Sequence, residues 1–167
     1  MCELIVMVGL QGSGKSTIAE ELKDGLENCE IVSSDQIRKE YNHQITNDKV
    51  FKIYYERARK FLEEGKSVIL DATNITMKSR RQVFEQLKGI DCTKCCYIVN
   101  TPYEQCLKNL DERNKKIVKN GLLELAKDLG EITAEIDKNE NTAEHIIEKI
   151  KRSIKKFEQD TGVKLGL

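Results

Sequence analysis

Two residue clusters in this 167-residue chain carry the types and spacing that chemistry needs. The first is Gly9-Leu10-Gln11-Gly12-Ser13-Gly14-Lys15-Ser16-Thr17, which fills the pattern G-x-x-x-x-G-K-S. Glycines let a backbone turn back tightly, so successive N–H groups point inward and form a nest for phosphate oxygens. A helix starting beneath the nest adds its partial positive charge. Lys15 then reaches the outer phosphates of a nucleotide, and the Ser16 hydroxyl is placed to ligate Mg²⁺. Gly12, Ser13, Gly14, Lys15, Ser16 and Thr17 are therefore the expected nucleotide contacts. The second cluster is a set of carboxylates that close apolar runs: Asp35 after Glu30-Ile31-Val32-Ser33-Ser34, and Asp71 after Lys66-Ser67-Val68-Ile69-Leu70. A carboxylate at a strand end can accept a proton or hold a cation. Asp35 can also cap a helix, and Asp71 with Thr73 and Asn74 can form a turn held by local side-chain bonds.

The elements that must position these residues follow from periodicity. Residues 3–9 read as a buried strand and 15–28 as the helix after the glycine turn. Glu30 to Ser34 is a short second strand, and Asp35 opens a helical turn. From Asp48 to Glu64, apolar Val50, Phe51, Tyr54, Ala58, Phe61 and Leu62 recur at helical spacing, and Gly65 ends the run. Of the adjacent Tyr54 and Tyr55, one faces inward. Lys66 to Asp71 is the third strand. Thr76 caps the helix that runs to Gly89. Cys95 to Asn100 is a fourth strand, Pro102 starts a helix that reaches about Asn114, and Lys115 to Lys127 continues helical. Gly130 to Asp137 reads as a fifth strand, and Thr142 leads into a last helix with Ile146, Ile147, Ile150, Ile154 and Phe157 on one stripe. Strands alternating with helices predict an α/β fold of three layers: a parallel sheet of about five strands with helices on both faces. Ligands then bind beyond the carboxyl ends of the strands, at Gly9, Asp35, Asp71 and Thr101.

Composition fits one globular domain over 1–167: 39% apolar and 34% charged residues, with one proline. Lys plus Arg and Asp plus Glu each total 28, so the formal net charge is zero. That argues against a large sequence-independent nucleic-acid footprint and leaves room for a local basic groove. No apolar run approaches 18 residues, and Met-Cys-Glu leads at once into the first strand, so the chain is expected to be cytoplasmic, without membrane span or signal peptide. Six cysteines with no second metal-type pair read as free cytosolic thiols.

Four segments, GLQGSGKST, IVSSDQIR, VILDATNITMKSRR and TPYEQCLKNLDERN, occur in this order. Together they resemble the P-loop kinases of the polynucleotide 5′-hydroxyl kinase type and related ATP-dependent kinases, over residues 1 to about 116. The resemblance implies the P-loop NTPase fold, with ATP and Mg²⁺ as cofactors. It makes Asp35 the general base, Arg38 the grip on an acceptor phosphate, and Asp71 a functional carboxylate that holds Mg²⁺ with Ser16. Thr73, Asn74 and one of Arg80 and Arg81, by spacing Arg80, would line the acceptor side. A lid over about 113–130 would bring Arg113 to the nucleotide. Relatives carry a further arginine just after the Arg-Asn pair, and here that position holds Ile117. Lys138 and Asn139 would lie near adenine. The implied reaction moves the γ-phosphoryl of ATP to a hydroxyl, foremost a polynucleotide 5′-OH. A small-molecule acceptor (nucleoside, sugar or antibiotic) and a catalytically weak nucleotide-binding module are the alternatives.

Overall fold

The computed structural model describes residues 2–137 and 142–165. Lys138 and Asn139 lie outside the described residues. Four parallel strands, β1 (Glu3–Val8), β2 (Cys29–Ser33), β3 (Ser67–Asp71) and β4 (Thr93–Ile98), form a sheet in the order β2-β3-β1-β4. The helices are α1 (Lys15–Asp24), α2 (Ser34–Glu40), α3 (Asn47–Glu63), α4 (Met77–Gln86), α5 (Tyr103–Asp137) and α6 (Ala143–Thr161). The chain divides into two compact units, Met1–Asn109 and Leu110–Leu167. No helix among the described residues is long and apolar enough to cross a membrane.

In the first unit, each strand's alternation decides which helix covers it. Leu4, Val6, Val68, Leu70 and Val32 point to one face and pack with Val50, Tyr54, Ala58 and Leu62 of α3 and Val83 of α4. Ile5, Met7 and Ile69 point to the other face, against Ala19, Ile18 and Leu22 of α1. The three layers expected from the sequence are therefore present. β1 and β3 are buried almost throughout because they lie inside the sheet, whereas all six residues of β4 are exposed. Tyr54 is the inward tyrosine of its pair, with no exposed surface.

Helix ends follow local chemistry. The side chains of Thr46 and Thr76 accept hydrogen bonds from the amides of Lys49 and Ser79, three residues on. These bonds satisfy donors that the first helical turn leaves free. Gly65, in the left-handed region at φ 77°, follows the end of α3.

In the second unit, the expected fifth strand is helical. Residues 130–137 continue α5, which runs unbroken for 35 residues, and the sheet has four strands among the described residues. The short run Gly130-Glu-Ile-Thr-Ala-Glu-Ile-Asp alternates like a strand. Leu125, Leu129 and Ile132 nevertheless keep the helical interval of three to four, and Ile132 is buried. Gly121 lies inside α5 where Phe157 and Thr161 of α6 come close.

Candidate active site

The glycine turn joins β1 to α1 as its spacing requires. Gly14 occupies the position before α1 with φ 91° and ψ 10°, in the left-handed region, where a Cβ is disfavoured. Gly9 is pinned from two sides. Its amide donates to the Thr73 carbonyl at 3.0 Å, and a Cβ there would lie 2.8 Å from the Val99 carbonyl oxygen and 2.9 Å from Ser13 Oγ. The Ser13 hydroxyl is buried with no hydrogen-bond partner. Buried hydroxyls are nearly always paired, so one left open inside an anion-shaped turn marks a place for an oxygen ligand.

Lys15 is buried, and its Nζ donates to the Leu10 carbonyl at 2.6 Å. Burial pulls its pKa below the usual 10.5, and the Asp71 and Asp35 carboxylates oppose that pull in this order. Both aspartates are therefore close enough for Lys15 to feel their charge. Ser16 Oγ donates to Asp71 Oδ2 at 2.7 Å, and Asp71 is buried at the end of β3. A hydroxyl and a carboxylate side by side form an all-oxygen, hard donor set of the kind Mg²⁺ accepts. Ser16 and Asp71 therefore fit the expected ion.

The neighbouring strand brings the next carboxylate to the same end of the sheet. Ser33 pairs in register with Asp71, and α2 begins directly after it. Ser33, not Asp35, caps α2, accepting from the Gln36 amide. The capping reading of Asp35 therefore falls away. Its carboxylate stands 76% exposed and pairs with Arg38 Nη1 at 3.2 Å. Arg38 also donates through Nη2 to Asn47 Oδ1 at 3.1 Å, at the start of α3. Glu40 and Arg57 form a two-pronged pair, 3.1 Å and 2.6 Å, that ties α2 to α3. This pair holds the Glu40 carboxyl below its usual pKa, chiefly through the Arg57 hydrogen bond.

The segment after β3 behaves differently from expectation. Asn74 is buried, and its amide donates to the carbonyls of Met7 and Ala72. Arg80 donates through Nη1 to the carbonyls of Asn74 and Ile75. In this structure both side chains hold the loop itself, while Thr73 and Arg81 are exposed. Arg113 and Ile117 are exposed on α5, in the second unit.

Three contacts of the site carry no motif. Thr101 Oγ1 donates to the Ser13 carbonyl at 2.8 Å, Asn109 Nδ2 donates to the Gly12 carbonyl at 2.8 Å, and Asn47 holds Arg38. Thr101 was expected at a strand end, whereas Asn109 and Asn47 were not singled out. The four-residue interval Gln105-Asn109-Arg113 on one helix was the available signal.

A model of an AAA domain matches residues 4–127, about three quarters of the chain. The chain belongs to this AAA-domain family. A shikimate kinase of Caldicellulosiruptor bescii is 30% identical over 125 residues, covering 70% of each protein. Among solved structures, a chain of the Pnkp1/Rnl/Hen1 RNA repair complex superposes with TM-score 0.62 at 23% identity, over 69% of this chain. This chain spans only 38% of that one's length. Kti12 of Chaetomium thermophilum, in complex with ADP-AlF3, superposes with TM-score 0.54 at 26% identity, covering 68% of each. The AAA-domain protein described here thus has the P-loop kinase fold, and its kinship supports phosphoryl transfer from a nucleotide.

Proposed function

We propose that the protein transfers the γ-phosphoryl group of ATP to a hydroxyl, foremost the 5′-OH of a polynucleotide, in the cytoplasm. The observation that carries the reading is Asp35: an exposed carboxylate in the first turn of α2, just past the end of β2, relieved of capping by Ser33, paired with Arg38 and felt electrostatically by Lys15. Phosphoryl transfer asks for positioning and charge stabilisation, plus a base for the hydroxyl proton. The acceptor oxygen attacks the γ-phosphorus, the bond to the β–γ bridging oxygen breaks, ADP leaves, and the proton passes to Asp35. Lys15, Gly12, Ser13, Gly14 and Thr17 bind the phosphates, and the open Ser13 hydroxyl supports that assignment. Mg²⁺ held by Ser16 and Asp71 would neutralise charge on the phosphate oxygens. Arg38 offers a planar fork suited to an acceptor phosphate, and Asn47 keeps it in place. Thr73 borders the acceptor, Asn74 and Arg80 shape the loop beside it, and Arg113 is assigned to nucleotide binding as part of a lid over 113–130.

A second reading, a small-molecule acceptor, is favoured by the 30% identity to a shikimate kinase. The test is γ-labelled ATP and Mg²⁺ offered with 5′-OH DNA, 5′-OH RNA and a panel of small alcohols including shikimate. Label on the oligonucleotide is the expected result. Label on a small molecule alone replaces the acceptor, and tight ATP binding with no transfer replaces the kinase by a nucleotide-binding module. Asp35→Ala is expected to lower transfer at least about 100-fold while ATP affinity stays within about two-fold, as general-base loss does. Near wild-type transfer by this variant would reduce Asp35 to a partner of Arg38.

A further inference from the structure

We propose that Thr101 and Asn109 are positioning residues that hold two peptides of the phosphate loop from behind and so aim the Gly14 amide. The inference rests on the phosphate-loop reading and assigns a role to side chains outside the G-x-x-x-x-G-K-S pattern. A trans peptide is planar, so its C=O and N–H point in opposite directions. Thr101 Oγ1 donates to the Ser13 carbonyl at 2.8 Å, which turns the Gly14 N–H of the same peptide away from Thr101. Asn109 Nδ2 donates to the Gly12 carbonyl at 2.8 Å, and the Ser13 N–H of that peptide donates to the Leu10 carbonyl at 3.2 Å. The Gly12–Ser13 peptide is thus held at both ends, and the Ser13–Gly14 peptide is held from its carbonyl, leaving one amide to be aimed at an anion.

The bracket is itself braced. Gln105 Nε2 donates to Asn109 Oδ1 at 2.8 Å, one helical turn earlier on α5. With that oxygen taken by a donor, the Asn109 amide nitrogen is the group left for Gly12, so the network fixes which way the amide points. The Cys106 thiol lies 3.6 Å from the Thr101 carbonyl and is buried beneath it. Glycines at 12 and 14 make the turn permissive, and a permissive turn samples many amide directions. Two side-chain donors that remove this freedom before the nucleotide arrives lower the ordering cost of binding.

A misaimed amide loses a hydrogen bond to a charged oxygen, so the bracket's effect should appear in nucleotide affinity. In calorimetric titrations of the full-length protein with Mg-ATP and Mg-ADP, Thr101→Val is expected to weaken binding about ten- to hundred-fold. Thr101→Ser, which keeps the hydroxyl, should stay within about two-fold of wild type. Asn109→Leu should weaken binding about ten-fold. In ¹⁵N spectra, the nucleotide-induced downfield shift of the Gly14 amide should be lost in Thr101→Val and kept in Thr101→Ser. Equal affinities for the valine and serine variants, with the Gly14 shift retained, would overturn the proposal and leave a tether that only secures α5. Should Thr101→Val not fold, Asn109→Leu decides by the same two measurements. A wild-type protein that binds neither nucleotide would overturn the phosphate-loop reading together with the bracket.

Discussion

Lys15 shows how one buried cation sets a pH dependence. Burial lowers its pKa below 10.5, with Asp71 and then Asp35 working the other way. The unfolded chain therefore holds this proton more tightly than the folded one. Between the lowered value and 10.5 the unfolded state carries more protons, and stability from this group rises with pH. Nucleotide binding reverses the direction, since phosphate favours the charged amine. ATP binding should thus take up protons below pH 10.5, where the folded protein has begun to lose this one, and affinity should fall as pH climbs through the lowered pKa, earlier than for an ordinary lysine. Calorimetry in buffers of different ionisation enthalpy measures the uptake, and an affinity independent of pH up to 10.5 would contradict it. At this scale the sequence was informative where a motif fixes the backbone: Ser16 and Asp71, which the resemblance assigns to one ion, share a hydrogen bond. It was less so for Asn74 and Arg80. Asn74 sits at φ 44°, and that turn directs its amide to the Met7 and Ala72 carbonyls. A side chain's direction in a loop depends on backbone angles that residue types alone leave open.

Among the elements, α5 taught most. Glycine and β-branched residues near 130 suggest a strand, and local propensity lost to a helical apolar interval that continues from Leu125. Strands β1 to β3 and helices α1 to α4 were legible because they carry apolar runs or periods and end signals such as Gly65 or Thr76, whereas β4 lies at Thr93–Ile98, two residues before the run Cys95 to Asn100. Gly121 gives a test of α5 against α6. Alanine in a helix interior ordinarily stabilises by about 1 kcal/mol relative to glycine. Here a Cβ would collide with Thr161 Cγ2 and lie 3.2 Å from Phe157 Cδ2. Gly121→Ala is therefore expected to destabilise by about 1–3 kcal/mol through overpacking. Adding Thr161→Ser, which removes the nearest methyl, should recover most of that in urea unfolding. A stabilised Gly121→Ala protein would mean that the two helices separate readily at this point.

For the molecule as a whole, zero formal charge restricts how the acceptor is held. On the proposed role of Arg38 as the cation that grips an acceptor phosphate, few counterions are released on binding a single strand. The Michaelis constant for a 5′-OH oligonucleotide should then rise with salt with a log–log slope of about 1, from one or two phosphate contacts at about 0.7 each. A slope several-fold steeper would call for a basic surface beyond Arg38, and no slope would favour an uncharged small acceptor. The sheet order was open in the sequence, because periodicity assigns strands and not neighbours. That order places β1 between β3 and β4, which bears on how the chain is made. The phosphate loop is walled by Thr73 and Val99 and gripped by Thr101 and Asn109, the last two 88 and 97 residues beyond their partners in the loop. A ribosome must therefore add close to a hundred residues after the loop before those grips exist. A nascent chain that ends before them carries the whole nucleotide signature without these supports, so competence for ATP waits on residues far beyond the motif.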